Sequence, residues 1–155
     1  MNINRKIGVF VPRLRLALLL FLAALIPDHL ITQWGVAAGN PEGNVVVLWL
    51  WKTIPGGPHF LVLLWAMLII GLAFALTWIN IHVARWLLYS AFVGHTAGFL
   101  SWTPVLHAPI QFVWNAAGYE WGLVLLLSCS ALGGALLTLV QGYRTSTPGN
   151  NLLVQ

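Results

Sequence analysis

Residues 59–78 have the sequence HFLVLLWAMLIIGLAFALTW, in which no side chain is formally charged. A helix of this length rises about 30 Å, which matches the hydrocarbon core of a bilayer. Three further apolar segments of similar length occupy about 14–34, 83–102 and 120–141. Such runs are too long for barrel strands, which cross a bilayer in about 10 residues. The sequence therefore predicts an all-α integral membrane protein with four transmembrane helices in an antiparallel bundle.

The composition excludes other classes of protein. The chain is 59% hydrophobic and 6% charged, whereas a soluble domain carries about 25% charged residues. Disorder requires low hydrophobicity and high charge, and Cys129 is the single cysteine, so no disulfide can form within the chain. We expect one transmembrane domain over residues 1–145 and a flexible cytoplasmic tail over 146–155.

The basic residues predict the orientation of the chain. If both termini are cytoplasmic, Lys52 is outside and the other six basic residues are inside, namely Arg5, Lys6, Arg13, Arg15, Arg85 and Arg144. An excess of Lys and Arg marks cytoplasmic segments, so both termini are predicted to be cytoplasmic, in a bacterial-type inner membrane. The net charge is +4, but the basic residues form no patch, so nucleic acid is not an expected partner.

The two outer loops, 35–58 and 103–119, are the long connections of the predicted fold. Both contain tryptophan and proline, and we expect interfacial segments that cap the bundle or dock a partner. The apolar stretch at 44–54 is too short to span a bilayer. A short helix, a strand and a re-entrant segment are all compatible with its sequence.

Small residues predict where helices approach each other closely. Lipid tails are as apolar as leucine, so membrane helices associate through close packing at small side chains. The predicted contact positions lie on the third and fourth spans and are Gly94, Gly98, Ser130, Gly133 and Gly134. These contacts could form within the bundle or with another subunit.

The first span contains Pro27 followed by Asp28 and His29. Proline removes one helix hydrogen bond and its ring clashes with the preceding turn. The helix could therefore end near Ile26, with Asp28 as a cap beyond it. Alternatively, the helix continues and places a polar pair inside the membrane, where such side chains are costly and often functional.

Histidines supply the candidate ligands for a cofactor. His29 and His95 lie at similar depth, within about 3 Å by the helical rise, as the two axial ligands of a haem b would. A transition-metal site in the outer half could instead draw on Asp28, His29, His59, His107 and Glu120. A third interpretation is that these histidines only form ordinary hydrogen bonds.

No catalytic motif accompanies these residues. The sequence has no GxSxG, HExxH, P-loop, CxxC or GxGxxG pattern, so no catalytic residue is predicted and a non-enzyme is favoured. We expect a non-catalytic subunit or accessory of a larger membrane assembly, with lipid and other membrane subunits as partners and no cofactor. The first alternative is a redox subunit that binds haem b or a metal, and the second is an immunity- or exclusion-type membrane protein.

Overall fold

The computed structural model describes residues 3–39, 49, 52–54 and 57–146, and for some of them (3–13, 104–106, 110–111, 113–114, 117, 119–120 and 144–146) the backbone alone. Four long helices run through these residues: α1 (Ile3–Ala37), α2 (Gly57–Thr77), α3 (Ile81–Ser101) and α4 (Pro104–Ser146). All regular structure in the described residues is α-helical. Three segments, Leu14–Ala37, Gly57–Thr77 and Trp121–Tyr143, are long and apolar enough to cross a membrane.

Helix α1 does not end at Pro27. It continues to Ala37, in agreement with the predicted apolar span at about 14–34, whereas the alternative that it ends near Ile26 with Asp28 as a cap was wrong. The helix ends instead next to Gly39, whose φ of +90° suits glycine and whose amide donates to the carbonyl of Val36. Proline costs α1 one hydrogen bond, and the apolar residues on either side of it can still pack as one helix.

Helices α2 and α3 are joined by a turn of three residues. The amides of Trp78, Ile79 and Asn80 bond back to carbonyls in the last turn of α2. Asn80 is the N-cap of α3, and its side-chain oxygen accepts from the amide of His82 at 2.8 Å. A short connection was predicted here, and the cap explains why α3 can begin only four residues after α2 ends.

Helix α3 is the central element, because it packs against α1, α2 and α4. It is also the helix that does not reach the apolarity of a membrane span over its length. Its polar side chains include Arg85 and Tyr89, which are both buried. Burial of such polar side chains against neighbouring helices is the arrangement that a hydrocarbon environment favours.

Close packing at small residues joins α3 to α4. A Cβ atom on Gly134 would lie 2.6 Å from the backbone nitrogen of Ser90, and one on Gly94 would lie 3.2 Å from Ser130 Oγ. Gly133 lies against Val93 in the same seam. Small residues therefore allow the two backbones to approach within direct contact.

The buried core is formed by α1, α2 and α3. Phe21 and Leu88 are its largest fully buried side chains, and the other members are Ala17, Leu25, Ile69, Ala73 and Tyr89. Large apolar side chains outside this core are mostly exposed, as expected where lipid replaces water around the protein.

The predicted outer loops differ from the structure. Residues 103–119 were expected to form a loop with interfacial segments, but a helix begins at Pro104 and its geometry is interrupted at Gly118 (φ +79°, ψ 164°). In the 44–54 stretch, Trp49, Lys52 and Thr53 are helical, and the Thr53 hydroxyl donates to the Trp49 carbonyl at 3.0 Å. The rest of that stretch and the predicted tail beyond Ser146 lie outside the described residues.

Candidate functional site

A carboxylate and an imidazole meet between α1 and α3. Asp28 Oδ2 accepts from His95 Nδ1 at 2.7 Å, and the two side chains are 18% and 20% exposed. Gly98 makes room for this pair, because a Cβ atom there would lie 2.6 Å from Asp28 Oδ1. The glycine predicted as a helix-packing residue thus lies against a side chain of the polar site.

Trp65 on α2 completes the surroundings of His95. Its indole Nε1 donates to His95 Nε2 at 3.1 Å. An indole nitrogen can only donate, so Nε2 must accept and the ring proton must sit on Nδ1, where it is donated to Asp28. His95 is therefore held as a neutral imidazole of one tautomer, with both ring nitrogens engaged.

An apolar side chain of the buried core lies next to the Asp28–His95 pair. The ring of Phe21, which is fully buried, lies with its centroid 5.9 Å from that of His95. A hydrogen bond to a carboxylate is stronger than a neutral one, and a low local dielectric strengthens it further. The three-residue chain Trp65–His95–Asp28 therefore ties α2, α3 and α1 together at one level of the bundle.

A second polar group lies between α1 and α2. His29 Nε2 is 3.1 Å from His59 Nδ1, and the two rings are nearly perpendicular, with centroids 5.2 Å apart. Gln33, one turn beyond His29 on α1, places its Nε2 atom 3.2 Å from the same His29 nitrogen. His59 is exposed near the start of α2, so this group reaches the surface.

The two histidines that were predicted as haem ligands have different hydrogen-bond partners in the structure. Successive helix residues point about 100° apart, so Asp28 faces α3 and His95 while His29 faces α2 and His59. The predicted similarity in depth corresponds to the Asp28–His95 contact. A haem between His29 and His95 would first have to displace the Trp65 indole or the Asp28 carboxylate from His95.

The predicted metal ligands are distributed over three places. Asp28 contacts His95, while His29 contacts His59, and His107 Nδ1 donates to the carbonyl of Ser101 at 3.1 Å. The side chain of Glu120 lies outside the described residues. Within the described part of the chain, no three His, Cys, Asp or Glu side chains are grouped as metal ligands.

Two residues of the site, Trp65 and Gln33, were not predicted. Trp65 lies inside the 59–78 segment, away from the ends that tryptophan favours. That position was an available signal for a hydrogen-bonding role, since an indole N–H group within a membrane span needs a partner. Gln33 carried a weaker signal, as an amide one turn from His29.

An open cleft lies between α1 and α3, on the side of their contact that faces away from α2. It has a volume of about 210 Å³ and is lined by Ala23, Ala24, Pro27, Phe92, Thr96 and Phe99. Pro27 and His29 are two positions apart on α1 and so point about 200° apart around the helix. Since His29 faces α2, the cleft faces away from α2.

A further polar contact lies toward the other end of α3. Tyr89 donates its hydroxyl proton to Gln141 Oε1 of α4 at 2.9 Å, and the side chain of Arg85 is buried nearby on α3. Tyr89 belongs to the same buried core as Phe21 and Leu88.

No family model matches the chain, and no curated protein or solved structure shows significant similarity to it.

Proposed function

We propose that this chain is a non-catalytic subunit or accessory of a larger assembly in a bacterial-type inner membrane. In this proposal α3 crosses the membrane together with the three apolar segments, and both termini are cytoplasmic. The partner is a transmembrane helix of another subunit. It occupies the cleft formed by α1 and α3.

The cleft is the observation that carries this proposal. Helix α2 covers one side of the α1–α3 seam, and the opposite side has an open cleft at which Ala23 is exposed. Small side chains at such a position allow another backbone to approach closely, which is how membrane helices associate. Thr96, a polar residue of the central helix, also lines this open side and would be covered by a partner helix.

The order of contacts supports an antiparallel four-helix bundle. Asp28 and Gly35 of α1 lie against Gly98 and Trp102 of α3, so residue numbers rise together along these two helices. Gly94 and Ser90 of α3 lie against Ser130 and Gly134 of α4, so numbers run in opposite directions there. With α3 among the spans, the four helices alternate in direction.

Filling the cleft tests this proposal. Ala23→Leu adds bulk on the open side, and Ala75→Leu adds the same bulk at an exposed position on α2. We expect Ala23→Leu to shift the protein, in mild detergent extracts of its native membrane, from a large to a small species on a blue native gel. Ala75→Leu should leave the large species intact. Absence of a large species for the wild type, or its survival in Ala23→Leu, would overturn the proposal.

The redox alternative receives less support from the geometry. Both ring nitrogens of His95 are engaged, so a haem held by His29 and His95 would cost two existing hydrogen bonds. The immunity- or exclusion-type alternative is favoured by no contact among the described residues. Absorbance of the purified protein in the Soret region tests the haem alternative directly.

A further inference from the structure

We propose that His29, His59 and Gln33 form a binding site for one borderline divalent metal ion, Zn²⁺ or Cu²⁺, between α1 and α2. This set differs from the five-residue set expected from the sequence, because Asp28 is committed to His95 and His107 to a backbone carbonyl. The site does not depend on the proposed role as a subunit.

The first argument is the distance between the two ring nitrogens. His29 Nε2 and His59 Nδ1 lie 3.1 Å apart on two different helices. Two imidazole nitrogens bound to one tetrahedral zinc ion at about 2.0–2.1 Å would lie about 3.3 Å apart. The separation of the two nitrogens is therefore close to that of two imidazoles on one ion, and rotation of the rings would direct both lone pairs at it.

The second argument is that one atom has two partners. His29 Nε2 has either one hydrogen or one lone pair, yet His59 Nδ1 and Gln33 Nε2 lie 3.1 Å and 3.2 Å from it. Only one of these partners can form a well-directed hydrogen bond. A metal ion bound to the lone pair of His29 Nε2 removes the conflict. The side-chain amide of Gln33 can be turned by 180° so that its oxygen, in place of its nitrogen, faces the ion.

The third argument is the placement of the three ligands. His29 and Gln33 are four residues apart on α1 and so share a face of the helix. His59 is exposed at the start of α2, so an ion can enter without crossing the buried core.

The donor atoms select the class of metal. Neutral imidazoles suit Zn²⁺ and Cu²⁺, whereas Mg²⁺ and Ca²⁺ prefer sets of oxygen ligands. Two nitrogens and one amide oxygen leave at least one coordination position for water. The site is therefore open and exchangeable, unlike a closed structural zinc site.

The experiment measures metal binding by the full-length, tag-free protein in detergent. Calorimetric titration with Zn²⁺ gives the stoichiometry, and electron paramagnetic resonance with Cu²⁺ shows how many nitrogens coordinate. We expect one ion per chain and two coordinating nitrogens. His59→Gln should weaken binding by about 100-fold or more, and Gln33→Leu by about 10-fold, since even indirect partners of a metal contribute 10- to 100-fold.

His82→Gln and His107→Gln are the matched controls, because both residues are exposed histidines outside the proposed site. His59 is itself exposed, so its replacement should leave the helix content measured by circular dichroism unchanged. Wild-type binding weaker than millimolar, or equal binding by His59→Gln and His107→Gln, would overturn the proposal. The His29–His59 contact would then be a hydrogen bond alone.

Discussion

Gly98 of α3 lies directly against the carboxylate of Asp28 on α1: a Cβ atom on the glycine would be 2.6 Å from Oδ1 and 3.0 Å from Oδ2. The absence of a side chain at Gly98 thus lets Asp28 enter the α1–α3 seam and reach His95. The close approach of α1 and α3 and the Asp28–His95 hydrogen bond both require that residue 98 has no Cβ atom.

Gly98→Ala should destabilise the protein, because the new methyl group must displace Asp28 from the seam. Overpacking of this kind costs about 1–3 kcal/mol. Gly71→Ala is the control, since nothing lies within 4 Å of its Cβ position and alanine favours the helix. Thermal unfolding in detergent should show a lower midpoint for Gly98→Ala and an unchanged or higher one for Gly71→Ala. Equal midpoints would show that Asp28 can move away without cost.

His95 should be a neutral imidazole with its proton on Nδ1. Nitrogen NMR of histidine-labelled protein near pH 7 measures this directly, because protonated and unprotonated ring nitrogens resonate far apart. Trp65→Phe removes the donor to Nε2 and should shift the Nε2 resonance, at a stability cost of about 1 kcal/mol. The resonances of His82 should not move. A proton on His95 Nε2 in the wild type would contradict the Trp65 hydrogen bond.

Gly134→Ala should force α3 and α4 apart. The added Cβ atom would lie 2.6 Å from a backbone nitrogen of Ser90, and backbone cannot rotate away as a side chain can. We expect a loss of about 1–3 kcal/mol, measured by chemical unfolding in mixed micelles. Gly142→Ala, on the same helix with an open Cβ position, should be neutral or slightly stabilising. If Gly134→Ala were as stable as the wild type, α3 and α4 would be farther apart at this position than these distances indicate.

The orientation of the chain is tested by cysteine labelling. In a Cys129→Ser background, a cysteine replacing Asn40 should react with a membrane-impermeant reagent in intact cells. One replacing Ser146 should react only after the membrane is opened. The basis is the bias of basic residues toward the two termini and the 79–82 turn. Reaction of the Ser146→Cys variant in intact cells would reverse the topology.

Several features of the fold could be predicted from the sequence because they depend on local properties. Helix α2 was predicted at 59–78 and is found at Gly57–Thr77, since its length and apolarity leave few alternatives. Of the two alternatives for α1, the end near Ile26 was wrong and the continuing helix is found, because the penalty of one proline is local and neighbouring residues outweigh it. For residues 103–119 the sequence predicted an interfacial segment but not its helical structure, which begins at Pro104.

The sequence by itself predicted long apolar helices and a similar depth for His29 and His95, because the rise per residue converts chain position into height. Only the tertiary structure decided that Asp28 contacts His95 while His29 contacts His59. Adjacent residues on one helix differ by about 100° in direction, and which neighbour lies in each direction depends on how all the helices pack. Trp65 and Gly98 became part of the site in the same way, through contacts between residues about 30 and 70 positions apart in the chain.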